Sequence, residues 1–133
     1  MGKWVIDFHL DMHSGVAPYL QIVGQVRQAL LLGLLVEGDK LPTVKEVVAK
    51  VAINPNTVSK AYRELEHEGL AAAKPGVGTF ITRSLGQASL AAHGPLQNEL
   101  RAWMAKARTA GLTRPGIEAL ISATLREDTE EEK

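Results

Sequence analysis

Apolar positions recur along the chain in two periods. Over residues 54–69, Val58, Ala61, Tyr62 and Leu65 fall at i, i+3, i+4 and i+7, the spacing of one helical stripe. Both ends of that helix are marked. Asn54 can cap with its side-chain oxygen, Pro55 suits the first helical position, and Gly69 supplies a left-handed stop. The opposite face carries Asn56, Lys60, Arg63 and His67, with Thr57 and Ser59 on its flanks. Just upstream, Val44, Val47, Val48 and Val51 repeat the helical period behind Thr43, and Thr43 with Glu46 has the form of a capping box. This short helix ends near Val51 or Ala52. Earlier still, Pro18 opens a long helix to about Val36, with Tyr19, Ile22, Val23, Val26, Ala29 and Leu30 on its buried stripe. Leu31, Leu32, Leu34 and Leu35 leave its far end apolar on most sides, as for a helix wedged between two elements. Residues 37–40 read as a turn.

The second period is two. Trp4, Ile6, Phe8 and Leu10 alternate with Val5, Asp7, His9 and Asp11, which predicts a short strand or extended arm with one buried face. Asp7, His9, Asp11 and His13 share the other face. They could ligate a metal, but no second cluster completes a coordination shell, so a solvated face is the reading taken. After Gly69, an apolar run (residues 70–73), the turn-forming Lys74-Pro75-Gly76-Val77-Gly78, and Thr79-Phe80-Ile81-Thr82 predict a two-stranded hairpin. Residues 84–94 are small and polar, a linker or frayed helix. Pro95 restarts a helix with Leu96, Leu100, Trp103, Met104 and Ala107 on one side, and Gly111 ends it. Thr113 caps a last helix on which Ile117, Leu120, Ile121, Thr124 and Leu125 share a face. Two such stripes cannot bury themselves without the preceding domain or a second chain. Trp103 and Met104 there read as core or interface, not as a cofactor box.

Charge sharpens this picture. The 133 residues have a formal net charge of zero, so the total announces no polyanionic partner. The distribution does: residues 40–63 hold Lys40, Lys45, Lys50, Lys60 and Arg63 against Glu46 alone. The last eight residues hold five acids, and residues 128–133 are expected to be a solvated, disordered tail. Without cysteine there is no disulfide framework, thiolate metal site or thiol catalysis. The longest apolar run, residues 29–36, is too short to span a bilayer, and the N-terminus lacks a signal-peptide layout. A soluble, cytoplasmic protein is expected. Ser59, Glu64 and His67 can be picked out, but no nucleophile–base constellation or phosphate loop forms around them. No enzymatic activity, catalytic residue, cofactor or metal is expected.

Two short helices joined by a tight turn, with a polar outer face on the second, describe a helix-turn-helix, and the following hairpin describes a wing. Amide and hydroxyl groups near the start of the second helix suit base edges; Lys60 and Arg63 suit phosphates. Leu41-Pro42-Thr43-Val44-Lys45-Glu46, then the run from Asn56 through Lys60, Arg63 and Glu68 to Leu70, then Gly76-Val77-Gly78-Thr79-Phe80, resemble the GntR winged-helix transcription regulators in order and spacing. The short helical tail and the amino-terminal arm up to Ile22 are similar to the YtrA branch.

The resemblance implies a mainly α fold with a small β wing: an extended arm (1–16), a winged helix-turn-helix domain (17–83), a C-terminal two-helix dimerisation region (84–127) and the acidic tail (128–133). It implies a homodimeric repressor on a pseudo-palindromic operator. Lys45 would touch phosphate, Asn56, Thr57, Ser59 and Lys60 would read bases, and Gly76, Val77 and Gly78, with Thr79 beside them, would enter the minor groove. Many members carry arginine where Pro55 and Ser59 stand, and often at Val77, so readout would rest on Asn56 and Lys60, and the wing would bring little charge. Lys45 in place of arginine loses bidentate phosphate binding. Leu96, Leu100, Trp103, Met104, Ile117, Leu120 and Ile121 would form the dimer interface. No small-molecule effector is indicated, though a site between subunits stays open. The competing reading is a winged-helix protein-interaction module that binds no DNA.

Overall fold

The computed structural model describes residues 6–86 and 90–131. The element order is α1(Pro18–Leu31), α2(Val44–Val51), α3(Pro55–His67), β1(Ala71–Lys74), β2(Gly78–Ile81), α4(Leu90–Thr109) and α5(Arg114–Glu131). The chain divides into two compact units, Met1–Ala91 and Ala92–Lys133.

In the first unit α3 is the central helix, packed against both α1 and α2. Its stripe of Val58, Ala61, Tyr62 and Leu65 is buried, and meets Ile22, Val23, Val26, Ala29 and Leu30 of α1 and Val47 of α2 in one core. The capping box is complete: Thr43 Oγ1 accepts from the Glu46 amide at 3.1 Å, and the Thr43 amide donates to Glu46 Oε1 at 2.8 Å. α2 ends on Ala52, which holds a left-handed φ of 50° without being glycine. The chain then turns directly into α3, where Asn54 Oδ1 accepts from the Asn56 amide at 2.8 Å. At the other end Gly69 takes a left-handed φ of 77°, and the Leu70 amide reaches the Leu65 carbonyl at 2.9 Å.

Three expectations change here. α1 stops at Leu31, not near Val36: Gly33 reverses the backbone, and the Leu34 amide bonds back to the Ala29 carbonyl at 2.8 Å. Only Leu35 of the trailing apolar residues enters the core; Leu31, Leu32, Leu34 and Val36 stay 41–53% exposed, so this end is not wedged between elements. The 37–40 segment is more than a turn. The Gly38 amide donates to the Ile81 carbonyl, Ile81 to Asp39 and Leu41 to Thr79, and Lys40 forms a bridge beside Phe80. The hairpin, in register Ala71↔Ile81 to Lys74↔Gly78, therefore has a short extended neighbour on its β2 edge. Residues 84–86 are not loose linker. Ser84 Oγ accepts from the Glu37 amide, Leu85 packs on the core, and the Gly86 amide donates to the Leu30 carbonyl.

The arm is extended from residue 6, without strand pairing. Ile6 and Phe8 are buried, as the alternation predicts; Trp4 lies outside the described residues. Its backbone is held by side-chain amides one helical turn apart on α1. Gln25 both accepts from the His9 amide and donates to the His9 carbonyl, and Gln21 does the same for Asp11. Two glutamines thus replace a neighbouring strand.

In the second unit α4 and α5 form a helical hairpin. α4 begins at Leu90, with Pro95 inside it rather than at its start. α5 continues to Glu131, so residues 128–131 of the expected disordered tail are helical; Glu132 and Lys133 lie outside the described residues. Glutamate is a good helix former, and Thr129 Oγ1 donates back to the Leu125 carbonyl. Ala107 and Ile117 are buried in this unit.

Candidate nucleic-acid interface

The orientation of α3 follows from its buried side. Tyr62 Oη donates to the Pro42 carbonyl at 2.6 Å, tying the middle of α3 to the turn that opens α2. Burial, helped by the nearby Glu46 carboxylate, pushes the Tyr62 phenol above its ordinary pKa, so it remains a donor. With Val58, Ala61, Tyr62 and Leu65 turned inward, Asn56, Lys60 and Arg63 are exposed and Thr57 and Ser59 are half-buried beside them. The Asn54 oxygen is occupied by its cap, and the Asn56 side chain on the first turn of α3 has no hydrogen-bond partner among the described residues.

The arrangement of charge separates two kinds of cation in the Met1–Ala91 unit. Arg27 of α1 is bonded to Glu68, whose carboxyl is held below its ordinary pKa by that guanidinium bond. Lys50, at the end of α2, meets Asp7 of the arm at 3.2 Å. Among the described residues Lys40, Lys45, Lys60, Arg63, Lys74 and Arg83 have no carboxylate within ion-pair distance. These six lie on the start of α2, on α3 and on or beside the wing. Cations without a carboxylate partner keep their charge available to a polyanion although the chain is neutral overall.

Two lysines stand at the wing. Lys74 stands directly across from Gly78, with its ammonium 4.7 Å from the centroid of the Phe80 ring. The Lys40 stem lies over Gly78. A methyl group on that α-carbon would come within 2.6 Å of Lys40 Cε, so glycine here leaves room for a neighbouring lysine as well as adopting its φ of 144°. Gly76 is exposed at the tip with Val77, which is 56% exposed; Thr79 is half-buried and pairs with Ala73.

The sequence-derived residues thus fall on three elements of one unit: Lys45 on α2; Asn56, Thr57, Ser59, Lys60 and Arg63 on α3; Gly76, Val77, Gly78 and Thr79 on the wing. Sequence reasoning passed over Tyr19, whose ring lies 4.1 Å from the Lys60 ammonium, and Lys40 and Lys74 on the wing. Lys40 was legible as part of the local basic excess and Lys74 as part of the hairpin; the approach of α1 to Lys60 was not. Of the seven residues expected at a dimer interface, Ile117 is buried, Trp103, Met104 and Ile121 are half-buried, and Leu96, Leu100 and Leu120 are exposed. Leu100, Trp103 and Ile121 line an open apolar groove between α4 and α5. No helix among the described residues is long and apolar enough to cross a membrane.

Residues 18–81 match the family described as "Bacterial regulatory proteins, gntR family". Over 75 residues the chain is 44% identical to the HTH-type transcriptional repressor YtrA of Bacillus subtilis (strain 168), a match covering 56% of this chain and 58% of that protein. The chain therefore spans little more than half the length of this curated relative. Among solved structures, a transcriptional antiterminator from Listeria monocytogenes EGD-e is 28% identical, with a TM-score of 0.58 over 90% of each chain. YtrA from Sulfolobus acidocaldarius, a GntR-family transcription factor, is 26% identical, with a TM-score of 0.54 over 77% of this chain and 97% of that one.

Proposed function

We propose, from the match of residues 18–81 to the gntR family of bacterial regulatory proteins, that the chain is a sequence-specific DNA-binding transcriptional repressor acting as a homodimer. The observation that carries this reading is the outer face of α3. Its donors and acceptors are turned away from the core, and the described cations without a carboxylate partner lie on it, on α2 and on or beside the wing. Asn56 reads base edges from the first turn of α3, Lys60 contacts a base edge and the adjoining phosphate, Thr57 and Ser59 add hydroxyl contacts, and Arg63 and Lys45 bind phosphate. Gly76, Val77, Gly78 and Thr79 approach the minor groove by backbone and small side chains, with Lys40 and Lys74 supplying charge there.

The exposed leucines of α4 and α5, with Trp103 and Met104, are covered by the same hairpin of a second copy. Two α3 helices then meet successive major grooves, about 34 Å apart, on a pseudo-palindromic site. Selection of bound duplexes from a random pool tests this reading. Recovery of an inverted repeat with half-sites about one turn apart supports it. Binding without sequence enrichment, or none at low salt, rejects it.

A further inference from the structure

We propose that Tyr19 is a positioning residue for DNA binding: its ring is the seat that holds the Lys60 ammonium ready on the outer face of α3. The inference rests on the reading of α3 given above. Tyr19 stands on the first turn of α1, half-buried and packed on the core, so its ring is fixed by the scaffold. Lys60 Nζ lies 4.1 Å from the ring centroid, inside the range where a cation is drawn to an aromatic face. No carboxylate among the described residues pairs with Lys60. The arrangement repeats on the wing, where Lys74 rests 4.7 Å from the Phe80 centroid, also without a carboxylate partner.

The chemistry of such a seat differs from that of an ion pair. A lysine side chain is flexible, and fixing it for a phosphate or base costs rotamer entropy. A carboxylate could hold it still, but would cancel the charge the duplex is drawn to. An aromatic face attracts the ammonium without neutralising it, leaving its N–H donors for DNA. Tyr19 therefore affects where the charge stands and leaves the number of charges unchanged.

That distinction sets the test, made on the full chain with a short mixed-sequence duplex over a series of salt concentrations. Lys60→Met should weaken binding and flatten the salt slope by about one. Tyr19→Leu should weaken binding about two- to fivefold while leaving the salt slope unchanged. Tyr19→Phe should bind like the parent chain. In the Lys60→Met background, Tyr19→Leu should change affinity no further. The Lys60 side-chain proton resonances, shifted upfield by the ring, should return toward ordinary values in Tyr19→Leu.

An equal loss from Tyr19→Leu with and without Lys60 would assign Tyr19 a merely structural role and overturn the proposal. So would a loss in Tyr19→Phe as large as in Tyr19→Leu, which would place the effect in the hydroxyl. If Lys60→Met binds and responds to salt like the parent, the role given to Lys60 on α3 fails and the proposal fails with it. If Lys60→Met weakens binding and Tyr19→Leu does not, only the proposal fails.

Discussion

The two units meet the same requirement in opposite ways. Among the described residues, seventeen buried apolar side chains form a single core in the winged unit. The α4–α5 unit buries two, Ala107 and Ile117, while Leu96, Leu100, Leu120 and Leu125 remain 44–63% exposed. Three helices and a hairpin can surround a core; two helices side by side cannot, and each keeps an apolar stripe uncovered. The winged unit therefore has its stability built in, and its polar outer faces are available for recognition. The hairpin has an apolar surface to satisfy, which is the physical reason for assigning it to self-association.

Substitutions can break this contrast. The largest effect is expected at Leu65, fully buried in the winged core: Leu65→Ala should lower unfolding stability by about 2–5 kcal/mol in urea titrations. The same truncation at Leu96, 63% exposed, should stay within about 0.5 kcal/mol at dilutions where copies separate. Equal losses at the two sites would erase the distinction. Next, Trp103→Glu places a charge on the hairpin's apolar groove and should weaken self-association by about 2 kcal/mol or more, seen as monomers in sedimentation. A stable dimer carrying that change would move the contact elsewhere.

Smaller effects sharpen the account within the winged unit. Tyr62→Phe leaves the buried Pro42 carbonyl without its donor and should cost about 1–2 kcal/mol of stability. The Arg27–Glu68 bond is exposed, and Arg27→Ala should cost about 0.5 kcal/mol near neutrality. Because the Glu68 carboxyl is held below its ordinary pKa, this contribution exists above the ordinary carboxylate range and disappears as pH falls through the lowered value. Parent and Arg27→Ala stabilities should therefore converge in acid. A difference that persisted below that value would contradict the role given to the bond.

Much of the winged unit was legible because local signals and tertiary packing agree there. The capping box at Thr43, the Asn54 cap, the Gly69 stop and the apolar stripe of α3 each emerge as read. Where they compete, the reading slipped. Five leucines and a valine after Ala29 prolong a helical pattern, yet Gly33 ends the helix by reversing the backbone. Pro95 is a natural helix opener, yet α4 starts five residues earlier and contains it. Contacts between distant segments carried no local mark. The Gln21 and Gln25 amides on the arm, the return of Gly86 to Leu30, the Lys40 stem over Gly78 and the Lys60–Tyr19 approach all join residues at least ten positions apart.

The central claim is that the exposed face of α3, with the start of α2 and the wing, is the surface that meets DNA. Its most direct test is a nuclear magnetic resonance titration of the labelled protein with the selected duplex, following backbone amides and lysine side chains together. The account predicts the largest shifts at Asn56, Ser59, Lys60, Lys45 and Gly76, with the α5 resonances nearly still. Shifts concentrated on α5 or on the arm, with the α3 face unmoved, would contradict it.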